Sequence, residues 1–165
     1  MRHIILGAGP AGVIAAETIR KHAPYDQILI VGDEAEAPYS RMAIPYLLIG
    51  NVKESGTHLR HGARHFQQLR IELKHARCTA VDAERRSLTL SDGSVLTFDT
   101  LLIATGSSPL APSTPGADLP GVEPLWSLAH TERGLKYAGS LQPAGRTPRV
   151  VLVGAGFIGF IVLNA

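Results

Sequence analysis

The feature that most constrains this chain is a glycine-rich hexapeptide that occurs twice, each time directly after a short apolar run. Residues 7–12 read Gly-Ala-Gly-Pro-Ala-Gly, and residues 154–159 read Gly-Ala-Gly-Phe-Ile-Gly. Glycine at the first, third and sixth positions permits a tight turn out of a strand, close approach of a ligand to the backbone, and close packing of the helix that follows. The pattern therefore favours strand–turn–helix units whose helix N-terminus faces an anion.

The surroundings of the first hexapeptide are typical of a βαβ unit. We predict a strand over residues 2–6, a helix over residues 10–22 and a second strand over residues 27–31. Asp33 and Glu34 follow the second strand, roughly 20 residues beyond the third glycine, where a carboxylate can accept hydrogen bonds from ribose hydroxyls. Together these features predict a dinucleotide site, and the alternative is a glycine turn that serves only the fold.

The rest of the chain alternates between irregular, helical and β-rich segments. Residues 70–98 follow a period of two, which predicts three or four short strands with turns near 84–86 and 92–93, laid as an antiparallel meander onto a parallel sheet. The further predicted segments are an irregular or helical stretch over 38–50, a polar helix over 58–69, a buried strand over 101–105, a Pro- and Gly-rich linker over 107–124, a helix over 127–138, a strand over 149–153 and a helix that starts after Phe157.

Charge and cysteine content exclude several classes of protein. The net charge is +2, from 16 basic against 14 acidic residues that are scattered along the chain, so we expect no nucleic-acid partner. Cys78 is the only cysteine, which rules out an intrachain disulfide and a cysteine-pair redox centre and favours a reducing, cytoplasmic location. The apolar residues 150–165 are fewer than the ~20 that span a bilayer, so we expect no membrane span.

Three histidines raise the question of a metal site. His58, His61 and His65 would share one face of the helix predicted over 58–69, as ligands of one ion could. A solvated basic helix face is the interpretation that we favour, and no metal is predicted. Cys78 is interpreted as a small core residue rather than as a reactive thiol.

The chain resembles the N-terminal part of FAD-dependent pyridine nucleotide–disulfide oxidoreductases. The branch it resembles comprises ferredoxin and rubredoxin reductases, apoptosis-inducing-factor-like proteins and the flavin domains of nitrite reductases. The resemblance is carried by five features, which are the two hexapeptides, residues 32–34 followed by Pro-Tyr-Ser-Arg at 38–41, the Ser-Asp-Gly turn at 91–93, and Ala-Thr-Gly at 104–106.

The fold that this resemblance implies is of the α/β class. It is a three-layer, Rossmann-like FAD/NAD(P)-binding domain with a parallel sheet and an inserted antiparallel β-meander, followed by the start of a second such domain. The implied boundaries are residues 1–110 for the FAD-binding domain, 111–125 for a linker and 126–165 for the beginning of a truncated NAD(P)-binding domain.

The resemblance also implies roles for individual residues. Those expected along the FAD pyrophosphate are Gly7, Gly9, Pro10, Ala11 and Gly12. Those expected at the adenosine are Asp33 and Glu34, which meet the ribose, and Cys78 and Thr79, whose backbone passes the adenine. Arg41 is expected to reach the flavin or the pyrophosphate, with a plain surface charge as the alternative. Those expected along the nucleotide, where the chain leaves the sheet, are Ala104, Thr105 and Gly106. Those expected at the second nucleotide, NAD(P)H, are Gly154, Gly156 and Gly159.

The activity that the resemblance implies is transfer of a hydride from NAD(P)H to FAD and of electrons onward to a protein or a small molecule. Met42 stands where NADH oxidases and coenzyme A–disulfide reductases carry a redox cysteine, so electrons would leave the flavin without a thiol of this chain. We expect the chain to be one piece of a longer protein that associates with itself or with its remainder. A non-catalytic FAD- or NAD-binding module and a partner-binding remnant are the alternatives.

Overall fold

The computed structural model describes residues 1–62, 64–110, 112–141, 149–154 and 156–163. The chain divides into two compact units, of which the first comprises Met1–Ser40 and His58–Gly106 and the second comprises Arg41–Thr57 and Ser107–Ala165. Residues 41–57 thus group with the C-terminal half of the chain. The domain boundaries proposed from the sequence stay a prediction.

The first unit is built on a four-stranded parallel sheet. Its strands are β1 (Arg2–Leu6), β2 (Gln27–Gly32), β3 (Ile71–His75) and, later in the chain, β7 (Thr100–Ile103), in the order β3-β2-β1-β7. The two central strands are runs of Ile, Leu and Val, as expected for strands that are covered on both faces. The predicted strands at 2–6 and 27–31 are therefore confirmed.

Helix α1 (Pro10–His22) connects β1 to β2 and covers one face of this sheet. Val13 and Ala16 are fully buried and pack with Ile5, Ile28 and Ile30. Proline suits the first helical position because it needs no hydrogen-bonded N–H there, and the basic last turn complements the helix dipole. The predicted helix and the βαβ unit are confirmed.

A three-stranded antiparallel meander covers the opposite face. It consists of β4 (Cys78–Asp82), β5 (Ser87–Leu90) and β6 (Val95–Thr97), and the chain enters it after β3 and leaves it for β7. Leu88 and Leu90 of β5 pack with alternate side chains of β1 and β2, which are Ile4, Leu6, Leu29 and Val31. Helix, sheet and meander form three layers, which confirms the predicted α/β class with its inserted meander.

Three predictions for this unit need correction. β3 joins the parallel sheet beside β2 instead of the meander. The continuous helix predicted over 58–69 is wrong, since α3 (His65–Gln68) is the helical part of the described residues in this range, and Arg60 upstream of it is held in an irregular segment by Glu17. β7 is an edge strand of the sheet as described, so Leu102 and Ile103 are exposed rather than buried.

The second unit contains short helical elements. These are single 3₁₀ turns at Arg41–Ala43 and Glu54–Thr57, and the helices α2 (Ile44–Leu48), α4 (Leu128–Leu141) and α5 (Phe157–Leu163). The helices predicted at 127–138 and after Phe157 are confirmed, and residues 107–110 and 112–124 hold no helix or strand, as predicted. The strand predicted at 149–153 is not formed, because none of the described residues pairs with it, and Val150 and Val151 are exposed.

A charged cluster fastens the irregular segment after residue 57 to α1. Arg60 donates to both carboxylate oxygens of Glu17, from Nε over 2.7 Å and from a terminal nitrogen over 2.6 Å. His65 Nε2 lies 2.8 Å from the same carboxylate. The hydrogen bonds from Arg60 are the main reason that the pKa of Glu17 lies below its ordinary value. The contact with His65 lowers this pKa further, and burial of the carboxylate opposes both effects. Helix α1 is thereby tied to residues 60–65.

We predict that Glu17→Gln lowers the free energy of unfolding by about 1 kcal/mol at pH 7, the scale of a partly exposed charge-assisted hydrogen bond. The folded pKa of Glu17 is depressed, so its stabilisation is present above the unfolded pKa and is lost as the pH falls through the folded pKa. Urea unfolding at pH 7 and near pH 3 should therefore show the difference from wild type shrinking in acid. Glu72→Gln, at an exposed position of β3, is the matched control. A difference of equal size at both pH values would contradict the prediction.

Candidate nucleotide-binding site

The turn between β1 and α1 admits only glycine at its first position. Gly7 has φ +113°, and a Cβ placed there would lie 2.1 Å from the carbonyl oxygen of Ala104. Its N–H donates to the carbonyl of Val31 over 2.8 Å, which fixes the turn to β2. The turn is thus held between the ends of two strands, β2 and β7.

The other two glycines of the hexapeptide have different tasks. A Cβ at Gly12 would lie 1.9 Å from the carbonyl oxygen of Gly7, so the first turn of α1 rests directly on the preceding turn. A Cβ at Gly9 would meet no atom of the described part of the chain within 4 Å. Gly12 is therefore required by packing inside the protein, whereas Gly9 leaves its backbone open to a ligand.

The N-terminus of α1 has the donors that an anion needs. Gly9 is the N-cap residue, and no side chain caps the helix. The N–H groups of Ala11 and Gly12 lie in the first turn, where an α-helix offers no carbonyl partner, and Pro10 has no N–H to offer. The positive end of the helix dipole adds to their attraction for negative charge. The space beside Gly9 thus suits a diphosphate, which is the part of FAD that the family resemblance implies at this turn.

Other predicted residues meet this turn at the carboxyl edge of the parallel sheet. A Cβ at Gly32, the last residue of β2, would lie 3.0 Å from the Cβ of Ala8, so Asp33 follows a strand end that packs on the turn. Ala104 lies at the end of β7, where its N–H donates to the carbonyl of Leu6 over 2.7 Å, and Gly106 has φ +68° as the chain turns away. Ligands of open α/β sheets bind at this edge.

The two acids after β2 each have a partner in the same unit. The Asp33 carboxylate pairs with Arg77 over 3.0 Å, and both side chains are more than half exposed. Glu34 accepts a hydrogen bond from the hydroxyl of Tyr39, which is buried. The salt bridge joins residues 44 positions apart, so it leaves no local pattern in the sequence.

Cys78 and Thr79 lie at the start of β4. Cys78 packs against the apolar cluster between sheet and meander, as expected of a core residue. The strand pairing shifts between Cys78 and Ala80, and the Thr79 hydroxyl donates to the carbonyl of Thr89 over 3.2 Å. Upstream, the N–H of Ala76 donates to the carbonyl of Gly32 over 2.9 Å, so this segment starts beside the end of β2. A backbone contact with adenine stays a prediction.

Arg41 lies in the second unit. One terminal nitrogen donates to the carbonyl of Trp126 over 3.3 Å, and the guanidinium carbon is 5.3 Å from the centre of the Trp126 ring. A guanidinium at this distance from an aromatic face is attracted to it. Arg41 is therefore not a plain solvated charge, and its role at a flavin or pyrophosphate stays a prediction.

The second hexapeptide repeats the local geometry of the first. Gly154 has φ +114°, and a Cβ at Gly159 would lie 2.5 Å from the carbonyl oxygen of Gly154. A Cβ at Gly156 would meet none of the described residues within 4 Å. The N–H of Phe160 donates to the carbonyl of Gly156 over 3.2 Å, as Val13 does to Gly9 over 3.0 Å. Ala155 lies outside the described residues.

The remaining sequence hypotheses concern metals and membranes. Across the described ranges, no group of three or more His, Cys, Asp or Glu side chains is placed to hold a metal ion. The three-histidine alternative depended on the helix over 58–69, which is not formed. Among the helices of the described residues, none has the length and apolar character to cross a membrane.

Comparison with known proteins gives consistent results. A family model described as pyridine nucleotide-disulphide oxidoreductase matches residues 1–162. An NADH oxidase of Methanocaldococcus jannaschii is 32% identical over 96% of this chain and 36% of its own length. Rhodocoxin reductase of Rhodococcus erythropolis is 30% identical over 100% of this chain and 38% of its own length. The crystal structure of a ferredoxin reductase from Rhodopseudomonas palustris superposes with a TM-score of 0.83 at 31% identity, covering 98% of this chain and 39% of that one. The chain thus spans well under half the length of these relatives.

The contrast between Gly9 and Gly12 predicts that the same substitution costs more stability at position 12 than at position 9. Gly12→Ala should lower the free energy of unfolding by about 1–3 kcal/mol, because its Cβ would overlap a backbone oxygen. Gly9→Ala should lower it by no more than about 1 kcal/mol, because space and a negative φ are both available and the loss is that of glycine's preference over alanine at an N-cap.

Urea unfolding measures the free energy of unfolding of both variants, and titration with ADP measures nucleotide affinity. Gly9→Val should lose less stability than Gly12→Ala and bind ADP at least about tenfold more weakly, since its side chain fills the space proposed for phosphate. Equal stability losses at positions 9 and 12 would contradict the assignment of the two glycines.

Proposed function

The chain belongs to the FAD-dependent pyridine nucleotide-disulphide oxidoreductase family, and from that premise we propose that it supplies the FAD-binding part of an NAD(P)H-dependent flavoprotein oxidoreductase. The observation that carries the proposal is the open backbone at Gly9, on a turn that has no room for side chains at Gly7 and Gly12. Asp33 stands at the neighbouring strand end. Diphosphate and ribose recognition are thereby combined at one edge of the sheet.

We propose that FAD lies along this edge with its diphosphate beside Gly9. The N–H groups of Ala11 and Gly12 donate to phosphate oxygens, and the dipole of α1 attracts their charge. The Asp33 carboxylate accepts hydrogen bonds from the adenosine ribose, and Ala104 flanks the nucleotide where β7 ends. The other residues that we assign to FAD are Gly7, Pro10, Glu34, Arg41, Cys78, Thr79, Thr105 and Gly106.

The second hexapeptide supports a second nucleotide. We propose that NAD(P)H binds over residues 154–159, since Gly156 has the same open backbone as Gly9 and Gly159 the same close contact as Gly12. Flavin, when bound, supplies the redox chemistry by accepting two electrons as a hydride from the reduced nicotinamide. The chain's own residues bind and orient the two nucleotides.

For the electron acceptor, we propose a chemical class rather than one molecule. Rhodocoxin reductase and the ferredoxin reductases among the relatives are named for protein acceptors, and the NADH oxidase for its reductant alone. Met42 is exposed where a redox cysteine would stand, and the one cysteine, Cys78, packs in the core, so electrons pass to the acceptor without a thiol of this chain. We propose a ferredoxin-like protein or a small molecule as acceptor, in a reducing, cytoplasmic compartment.

The site predicts a preference for the adenosine half of the cofactor. FAD and ADP should compete for the chain, and FMN, which lacks the adenosine and one of the two phosphates, should bind at least about tenfold more weakly than FAD. Quenching of flavin fluorescence measures both affinities. FMN binding as tightly as FAD, or FAD binding that excess ADP does not reduce, would contradict the placement of the diphosphate beside Gly9.

The proposed activity predicts a spectral change. In the complete protein loaded with FAD, NADH or NADPH added without oxygen should bleach the flavin absorbance near 450 nm, because hydride transfer reduces the ring. Flavin that remains oxidised with both nucleotides would instead support a non-catalytic binding module. Absorbance after stoichiometric addition decides between them.

A further inference from the structure

Arg77 lies between β3 and β4, at the edge where β2 ends and Asp33 follows it. Its backbone is fixed on both sides, because its N–H donates to the Ser91 hydroxyl over 3.2 Å and its carbonyl accepts from the Ser91 N–H over 2.8 Å. Its guanidinium extends from this anchor to the Asp33 carboxylate, 3.0 Å from Oδ2. The side chain is 74% exposed, so the fold does not depend on it for packing.

The contact with Arg77 occupies one oxygen of Asp33. Within the described part of the chain, the other oxygen, Oδ1, has no hydrogen-bond donor. The Asp33 backbone is also held, since its carbonyl oxygen lies 3.2 Å from Nε2 of His75. The carboxylate is thus anchored on one side and open on the other, at an edge that otherwise presents backbone donors.

We propose that Arg77 is a positioning residue, which orients the Asp33 carboxylate so that Oδ1 accepts a hydrogen bond from the adenosine ribose. The inference rests on the proposed function, since it takes the ribose of FAD as the ligand of Asp33. An aspartate side chain in water samples several rotamers, and a guanidinium donor on a fixed backbone restricts them before the ligand arrives. The ribose then meets an acceptor that is already directed towards it.

Arg77 could also act on the ligand by charge alone, by attracting the diphosphate. The two effects differ in what they require of the ligand. A charge effect depends only on the phosphates, whereas orientation of Asp33 matters only where the ribose carries hydroxyl groups. ADP and 2′,3′-dideoxy-ADP have the same phosphates and differ in those hydroxyls, so they separate the two effects.

The test measures binding of both nucleotides to the full chain by calorimetry. Arg77→Gln should weaken the binding of ADP by about two- to fivefold, the scale of an exposed ion pair, and should leave the affinity for 2′,3′-dideoxy-ADP nearly unchanged. The double variant with Asp33→Asn should bind ADP no more weakly than Asp33→Asn alone, because Arg77 acts through that carboxylate. Arg77→Lys should recover part of the affinity, since it keeps a donor.

Arg85→Gln is the matched control. Arg85 is also exposed, and it pairs with Asp82 at 3.8 Å in the β4–β5 turn. The Arg85→Gln variant should bind both nucleotides with the wild-type affinity. The Arg77→Gln variant should unfold at the wild-type urea midpoint. Equal weakening of ADP and 2′,3′-dideoxy-ADP by Arg77→Gln, or additive losses in the double variant, would overturn the inference and leave the proposed function standing. Failure of the wild-type chain to bind ADP would overturn both.

Discussion

Helix α1 starts directly on the turn after β1 because Gly12 lies against the carbonyl oxygen of Gly7, where a Cβ would approach that oxygen to 1.9 Å. This contact fixes the helix N-terminus at the carboxyl edge of the sheet. The helix donors and the open backbone of Gly9 therefore face the same space. A helix shifted outwards by a side chain at position 12 would no longer present its first turn to a ligand at that edge.

The remaining parts of the site depend on how the sheet is covered. Alternate residues of β1 and β2 point to opposite faces, so Ile5 and Ile30 pack under α1 while Ile4 and Val31 pack under the meander. Because both faces are filled, a ligand approaches these strands at their ends, and ligands of open α/β sheets bind at the carboxyl end. The turn at Gly7, the end of β2 before Asp33 and the end of β7 at Ala104 meet there, and the meander brings Arg77 to the same edge.

Local patterns were sufficient to predict much of this architecture. The hexapeptides, the apolar runs of β1 and β2 and the periodicity of α1 each depend on residues close in the chain, and they were predicted to within a residue or two. The predictions were wrong where contacts between residues far apart in the chain determine the local structure. β3 lies beside β2 although its alternating pattern resembles the meander, and Arg60 and His65 are held by Glu17 where a continuous helix over 58–69 was expected. The salt bridge between Arg77 and Asp33 also depends on the fold and has no signature in the sequence.

The central claim is that backbone N–H groups beside Gly9 hold a diphosphate, with Asp33 at the sugar. Amide NMR shifts recorded while ADP is added to the full chain test it most directly. The largest shifts should occur at Gly9, Ala11, Gly12 and Asp33, with little change in the β4–β5 turn at residues 83–86. Saturable binding of ADP that leaves those four amides unshifted, with its shifts confined to other parts of the chain, would contradict the claim.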